Sequence, residues 1–419
     1  MNDEKKFRKC QWKFLICSGI VWMFYYLTRK NLSMAQPLML EDGVISTYAL
    51  GTIMTVHGVL YGLSRFANGF WADKMNGRVL MTLGLALSAL MNFLFGCTSI
   101  SILFAAFWIV NGWTQGMGFP PCAKMLSQWV HPSELATKQS IWNTSHSFGS
   151  VMALGLCSAL IALGFGWRWC FYAPAVLAAL AAVFCFLTVK DNPAEEGLPL
   201  LKIEGAAAEN APTVSDRERR RLVFGNRVIW IVGLANFFVY VVRFGFLDWG
   251  PTFLKQFKGI PVAKGGLMII SFELAAVVGT IFCGWITDKL FGGRGTRTCV
   301  FCMMFTALFA FGFWYLPDGA SLWSATLLLM GAGFFIYGPQ SLIGVVASKQ
   351  ATKNAAALAN GFVGMMGYAS TTVSGIGIAF IKEHYGWGVT LCSIAGFAIV
   401  GMILFLLAWN ASADGYGKK

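Results

Sequence analysis

The segment Phe24 to Asn31, FYYLTRKN, sets two cations, Arg29 and Lys30, inside an apolar run from Phe14 to Leu40. A cation on a helix near the bilayer centre costs about 2.5–3.5 kcal/mol on insertion scales, so its presence calls for a function. Tyr26-Leu-Thr-Arg29 recurs as Tyr240-Val-Val-Arg243, 214 positions later. Arginine's planar fork gives paired hydrogen bonds to phosphate or carboxylate and stays charged at any relevant pH. Tyr26 and Tyr240, three residues earlier, lie on roughly the arginine's helix face and add hydroxyl donors. A repeat that carries both arginines places them at equivalent depth across a central cavity. Like charges repel there unless a doubly negative group lies between them, and that describes a phosphate site.

Other polar residues fall inside apolar runs. Arg65 is a further intramembrane cation, Lys124 lies in the fourth run, and Glu273 is the one comparably placed acid. One acid cannot neutralise these cations, so the balance points to an anionic substrate. For Lys30 and Arg65 a second reading stands beside this one, since long cationic side chains also snorkel to headgroups or brace a helix. His57, Tyr61 and Arg65 are spaced by four, with Ser64 and Asn68 close by, and such a stripe lines a cavity. His146, in the segment WNTSHSFGS from Trp142 to Ser150, is either a neutral hydrogen-bonded histidine or a phosphate donor titrating near neutrality. No nucleophile–base pairing and no metal cluster is visible, so neither an enzyme, a metal nor a cofactor is expected. The lone CxxC, Cys299 to Cys302, has no second pair, and the eleven cysteines read as small packing residues.

The elements that must position these residues are membrane helices. Of 419 residues, 57% are hydrophobic and 12% charged, with mean hydropathy +0.62; a soluble chain carries about 25% charged residues. Apolar runs near the length of a spanning helix fall at about 14–36, 48–71, 79–97, 100–128, 139–164, 169–188, 228–254, 265–288, 299–316, 320–347, 355–381 and 386–409. An all-α membrane protein of twelve spans follows, with a retained first helix rather than a cleaved leader. The net charge of +13 does not mark a nucleic-acid binder. Of 32 Lys and Arg, 22 lie at the termini and in the even-to-odd loops, five in the odd-to-even loops and five within spans. That asymmetry places both termini and the 189–227 loop in the cytoplasm. Arg217 to Arg221 in that loop either touches anionic headgroups or ends a solvated linker.

The chain also repeats. Gly69, Asp73 and Lys74 close the second span as Gly284, Asp288 and Lys289 close the eighth, 215 positions on, and Gly116 and Gly118 recur as Gly331 and Gly333. Two six-helix halves are expected, 1–189 and 228–419, joined by a cytoplasmic linker at 190–227. The glycines ahead of Pro120-Pro121 and Pro339 permit close helix approach and bending.

The GxxxD[RK] loops resemble the loop motif of the major facilitator superfamily, where a charged turn pins neighbouring helices. YYLTRKN, NGWTQGMGFPPC, WNTSHSFG, VYVVRFGFLDWGPTFL and IYGPQSLIG resemble the organophosphate:phosphate antiporter family over nearly the whole chain. SFELAAVVG and GPQSLIG are most similar to the hexose-phosphate transporter and sugar-phosphate sensor branch. The charged pair that some hexose-phosphate carriers have in helix eleven is absent from Ala355–Phe380. The resemblance implies exchange of glucose 6-phosphate or another hexose phosphate for inorganic phosphate by alternating access, in a bacterial inner membrane and as a monomer. It implies that Arg29 and Arg243 bind the phosphate, that Arg65 matches a second-helix position often held by Lys, and that His146 matches a histidine implicated in substrate binding. Exchange of glycerol 3-phosphate or phosphoglycerate is the alternative, as is sensing of external glucose 6-phosphate with a membrane kinase as partner. The roles of Lys30 and Glu273 stay open at this stage.

Overall fold

The computed structural model describes residues 2–199, 215–317, 321–351 and 355–412; the side chains of a few helical residues, Asp73 among them, lie outside the described set. Fifteen α-helices follow in order: α1 (Asn2–Glu41), α2 (Thr47–Lys74), α3 (Gly77–Cys97), α4 (Ser101–Gln115), α5 (Phe119–Trp129), α6 (Pro132–Asn143), α7 (Ser145–Ala162), α8 (Trp169–Thr188), α9 (Asp216–Phe224), α10 (Arg227–Lys258), α11 (Val262–Lys289), α12 (Gly295–Tyr315), α13 (Leu322–Gln350), α14 (Ala356–Ala369) and α15 (Ile378–Leu407). All but α9 contribute to the twelve spans of an all-α membrane protein. The fourth span breaks between α4 and α5 at Gly116–Gly118, just ahead of Pro120-Pro121. Proline is tolerated in the first turn of the new helix because its missing N–H would have no intrahelical partner there. The fifth breaks at Thr144, between α6 and α7. The eleventh passes through one π turn at Val373–Gly377, and Gly386, at φ 78°, turns the chain into the twelfth.

Eight described helical stretches are long and apolar enough to cross a membrane by themselves, and they cover nine of the spans. The first, second and fourth are not among them. The first two carry polar and charged residues in mid-span, and the fourth is divided. These three polar or broken spans all belong to the first half of the chain.

Two compact units divide the protein: Met1–Ile45 with Val56–Ala211, and Ser46–Thr55 with Pro212–Lys419. In the first, α1 packs on α7 and α8, and α3 on α8 and α4. Its apolar core includes Phe14, Trp22, Tyr25, Met81, Met125, Trp129 and Trp142. The helix α2 meets α4 through glycine: a Cβ on Gly112 would lie 2.8 Å from the carbonyl oxygen of His57, and one on Gly116 would overlap the Ser64 hydroxyl. The residues after α8, at the start of the expected linker, are docked rather than loose. Asp191 accepts from the backbone N–H of Gly77 (2.6 Å), Glu195 pairs with Arg78 (3.2 Å), and Glu196 with Lys13 (3.5 Å). These bonds tie the ends of α1 and α3 to the segment that leaves the unit.

In the second unit α11 packs most extensively on α13, α12 on α13 and α15, and α10 on α14 and α15. A Cβ on Gly279 would overlap the carbonyl oxygen of Phe334, and one on Gly333 that of Phe272, so backbones touch along the α11–α13 seam. The first residues of α2 dock on the π turn. Thr55 Oγ1 donates to the carbonyl of Thr371 (3.0 Å) and accepts from the N–H of Ile376 (2.9 Å), satisfying backbone groups that the π turn leaves over. The helix α9 exposes Arg217, Arg219, Arg220 and Arg221 and buries Val223, while Phe224 packs edge-on against Phe362.

Candidate functional site

No glycine or proline interrupts Val21 to Gln36, so the polar residues of α1 are presented at regular helical angles. Here α1 is buried at Tyr25, Leu27 and Thr28 and throughout residues 30–37; Tyr26 and Arg29 are half-buried. The Arg29 guanidinium carbon stands 4.1 Å from the ring centre of Tyr61 and 5.7 Å from that of Tyr26. Cation–π contacts contribute roughly 0.5–1 kcal/mol at exposed sites and about 2 kcal/mol when desolvated. Tyr26 in turn stacks on the imidazole of His146, centroids 5.5 Å apart. This stacking needs α1 and α7 close together, and Gly149 permits it: a Cβ there would lie 2.6 Å from the carbonyl of Met23. Arg65 lies over the ring of Phe119 at 3.9 Å, and Phe119 and Tyr26 both pack on Trp22. The first unit therefore gathers Tyr26, Arg29, Tyr61, Arg65 and His146 on one set of rings.

His57, one turn before Tyr61, is 6% exposed. Its ring stacks on Trp108, and its Nδ1 lies 3.0 Å from the Trp108 carbonyl oxygen. A carbonyl only accepts, so Nδ1 carries the hydrogen. Nε2 is buried and has no hydrogen-bond partner among the described residues. Leaving such a group unmet costs about 1–3 kcal/mol. Lys30 is also buried, at 6% exposure. Lys124 stands elsewhere: its ammonium donates to the carbonyl of Met75 (3.0 Å) in the turn between α2 and α3. The break at Gly116–Gly118 and the end of α5 at Trp129 carry it to that loop.

Behind Arg29 lies a network that the charged residues alone did not announce. Asn92 and Asn111 both donate to the carbonyl of Thr28 (3.1 Å each), and Gln115 donates to the hydroxyls of Thr28 (3.0 Å) and Ser88 (2.8 Å). Ser88 donates to Asn111, and Asn31 donates to Asn92 and to the carbonyl of Cys170 (2.8 Å each). All these side chains are buried. The network fixes the rotation of α1 against α3, α4 and α8, and with it the direction in which Arg29 points. Its sequence signal was the four-residue spacing of Ser88/Asn92 and Asn111/Gln115 within apolar runs.

In the second unit Arg243 is 5% exposed and Glu273 fully buried. Arg243 Nη2 donates to the hydroxyl of Tyr337 (2.9 Å), and that hydroxyl donates to Glu273 Oε1 (2.8 Å). A three-residue relay thus joins α10, α13 and α11. The guanidinium carbon is 4.6 Å from the Tyr337 ring and 5.9 Å from that of Tyr240. Tyr337 was not singled out in the sequence, although a tyrosine buried in a span needs a partner for its hydroxyl. Tyr240 flanks Arg243 within α10, and Glu273 ends the relay.

The loop motifs give less. A Cβ on Gly69 or Gly284 would meet no described atom within 4 Å. Lys74, Asp288 and Lys289 are exposed, and the Asp73 side chain lies outside the described residues. No group of three or more His, Cys, Asp or Glu that could hold a metal occurs among the described residues.

Comparison with known proteins defines the class. Residues 18–375 match the family model of the Major Facilitator Superfamily. Over 95% of this chain and 97% of the other, the fold superposes at TM-score 0.81 and 14% identity on a bacterial homolog of the human lysosomal transporter Spinster. A probable hexose phosphate transport protein of Chlamydia pneumoniae is 32% identical, covering 99% of this chain and 95% of that protein. A glycerol-3-phosphate transporter of Bacillus subtilis is 34% identical, covering 98% and 95%. The chain belongs to the Major Facilitator Superfamily and, within it, to the organophosphate:phosphate antiporter family. It is a membrane transporter by family and not an enzyme.

Proposed function

We propose that the protein exchanges a sugar phosphate, glucose 6-phosphate best, for inorganic phosphate across a bacterial inner membrane by alternating access, with both termini in the cytoplasm. The observation that carries this reading is the paired Tyr-x-x-Arg of α1 and α10, each arginine held in place by its own unit through rings or a hydrogen-bond relay. Arg29 and Arg243 together bind the phosphoryl group; Tyr26, Tyr61, Arg65, His146, Tyr240 and Lys30 attend it, and Glu273 acts through Tyr337. The halves are 1–189 and 228–419, and the relatives named for hexose phosphate and glycerol 3-phosphate support an organophosphate as cargo. Without an anion the two guanidinium charges repel in a desolvated site, so only a loaded carrier reorients and exchange is obligatory.

Two measurements test it. Vesicles reconstituted with the protein and lacking internal phosphate should take up little glucose 6-phosphate, and loading them with phosphate should restore uptake. Arg29→Lys and Arg243→Lys should each lower exchange at least about tenfold, because an ammonium does not reproduce the paired fork. Brisk uptake into phosphate-free vesicles, or near-normal exchange by both lysine variants, would refute the reading. Uptake in cells that express this chain alone separates transport from sensing.

A further inference from the structure

The site's polar groups are almost all donors. Arginine and lysine donate only, and tyrosine hydroxyls have a proton to give. A phosphate group, rich in acceptor oxygens, is answered by such a set, but the organic part of a sugar phosphate presents hydroxyl hydrogens as well. His57 supplies the opposite polarity. Its imidazole is held on several sides, by the stacked ring of Trp108, by the Trp108 carbonyl at Nδ1 and by Gly112, whose absent Cβ would lie 3.1 Å from Nδ1. With Nδ1 committed as donor, Nε2 of the neutral ring is a fixed acceptor, buried and unmatched among the described residues. One turn further along α2, Tyr61 carries the Arg29 guanidinium on its ring.

We infer that His57 is a specificity-determining residue: Nε2 accepts a hydrogen bond from a hydroxyl of the organic moiety while the arginines hold the phosphoryl group. The inference rests on the organophosphate exchange proposed above. It gives the site a polarity along the substrate, donors at the phosphate end and an acceptor at the hydroxyl end. Doubly charged inorganic phosphate, with its single O–H, gains less from that acceptor than a polyol phosphate does. Because Nε2 is shielded in this conformation, the bond forms as the site rearranges around bound substrate. The selectivity then depends on the ligand being able to replace what the ring lacks in the empty protein.

The test compares His57→Asn with His57→Gln in reconstituted vesicles. Asparagine can keep a donor near the Nδ1 position for the Trp108 carbonyl and has nothing at Nε2. Glutamine can bring its amide oxygen to the Nε2 position. The ratio of glucose 6-phosphate:phosphate exchange to phosphate:phosphate exchange should fall about tenfold in the asparagine variant, one hydrogen bond's worth, and recover most of that loss in the glutamine variant. Among 2-, 3- and 4-deoxyglucose 6-phosphates, one analogue should lose a similar factor in the unaltered protein and none in the asparagine variant. An unchanged ratio, an equal fall of both exchanges, or a larger loss for phosphate than for the sugar phosphate would overturn the assignment. If the unaltered protein shows no exchange at all, the exchanger reading fails separately, and competition of the two ligands for binding decides the role of His57.

Discussion

Around Arg29 the first unit supplies rings in front and amides behind: Tyr61 and Tyr26 flank the guanidinium, and Asn92 and Asn111 grip the carbonyl of Thr28, its neighbour in the chain. Around Arg243 the second unit supplies a tyrosine and a carboxylate. At the repeat offsets of 214 and 215, Thr28, Ser88, Asn92 and Gln115 correspond to Val242, Met303, Ala307 and Met330. One half orients its arginine through a buried polar lattice on the backbone of α1. The other orients its arginine through the side chain itself, by way of Tyr337 and Glu273. Helix contact differs in the same way. At the seam of α2 with α4 the described contact glycines lie on α4, at Gly112 and Gly116, whereas at the seam of α11 with α13 they lie on both helices, at Gly279 and Gly333. A duplicated scaffold keeps the arginine while the means of holding it diverge, and this makes the two halves separately breakable.

The largest effect should come from the seam of the second unit. Gly279→Ala puts a methyl group onto the carbonyl oxygen of Phe334, a backbone atom with little freedom to yield. Overpacking of this kind costs about 1–3 kcal/mol, and the upper end is expected here. Gly112→Ala, 2.8 Å from the His57 carbonyl, should cost less. Thermal melts of the purified protein in detergent check the order, and a reversed order would mean that the first unit has the stiffer seam.

Next comes a paired test of the two arginine supports. Asn111→Leu removes one of the two side-chain donors to the Thr28 carbonyl and the acceptor for Ser88, loosening the buried network at a cost of about 1–2 kcal/mol. It should lower the melting temperature equally with and without phosphate. Tyr337→Phe removes the hydroxyl between Arg243 and Glu273 and should change the unliganded melt by less than about 1 kcal/mol. Its effect should appear instead as a smaller stabilisation by added phosphate, since ligand binding to the folded state raises stability only as far as affinity allows. Phosphate titrations of both variants read the contrast directly; equal behaviour would show that the two supports do the same job.

Much of the scaffold was legible because the physics of a span is local. Twenty apolar residues make a helix across a bilayer whatever surrounds them, and the duplicated YxxR and GxxxD segments declare two halves. The positions of Arg29, His57 and Glu273 were legible as polar interruptions of such runs. What holds them was not, because Tyr337–Glu273 and Thr28–Asn111 are pairings across 64 and 83 positions, and no spacing rule connects residues that far apart. Lys124 shows the opposite failing of a local reading. A lysine inside an apolar run counts as intramembrane until the break at Gly116–Gly118 lets α5 carry it to the turn at Met75. Likewise the acidic stretch from Asp191 to Glu196 has the composition of a linker, but its carboxylates find Gly77, Arg78 and Lys13.

The smallest expected effect concerns the motif that both halves retain. Gly69 and Gly284 sit inside α2 and α11 with no described atom within 4 Å of an added Cβ. Glycine in a helix interior is worse than alanine by roughly 0.5–1 kcal/mol, so Gly69→Ala and Gly284→Ala should each raise stability slightly. Transport then decides what the glycines are for. If exchange persists in both variants, the glycines of the motif do no packing in any state the carrier visits. If exchange is lost while the melt rises, each glycine is required for a closer helix approach that forms only in another conformation. The stabilisation read in the melt is then what each glycine gives up in this conformation, and a larger loss in one variant would identify which half makes that approach.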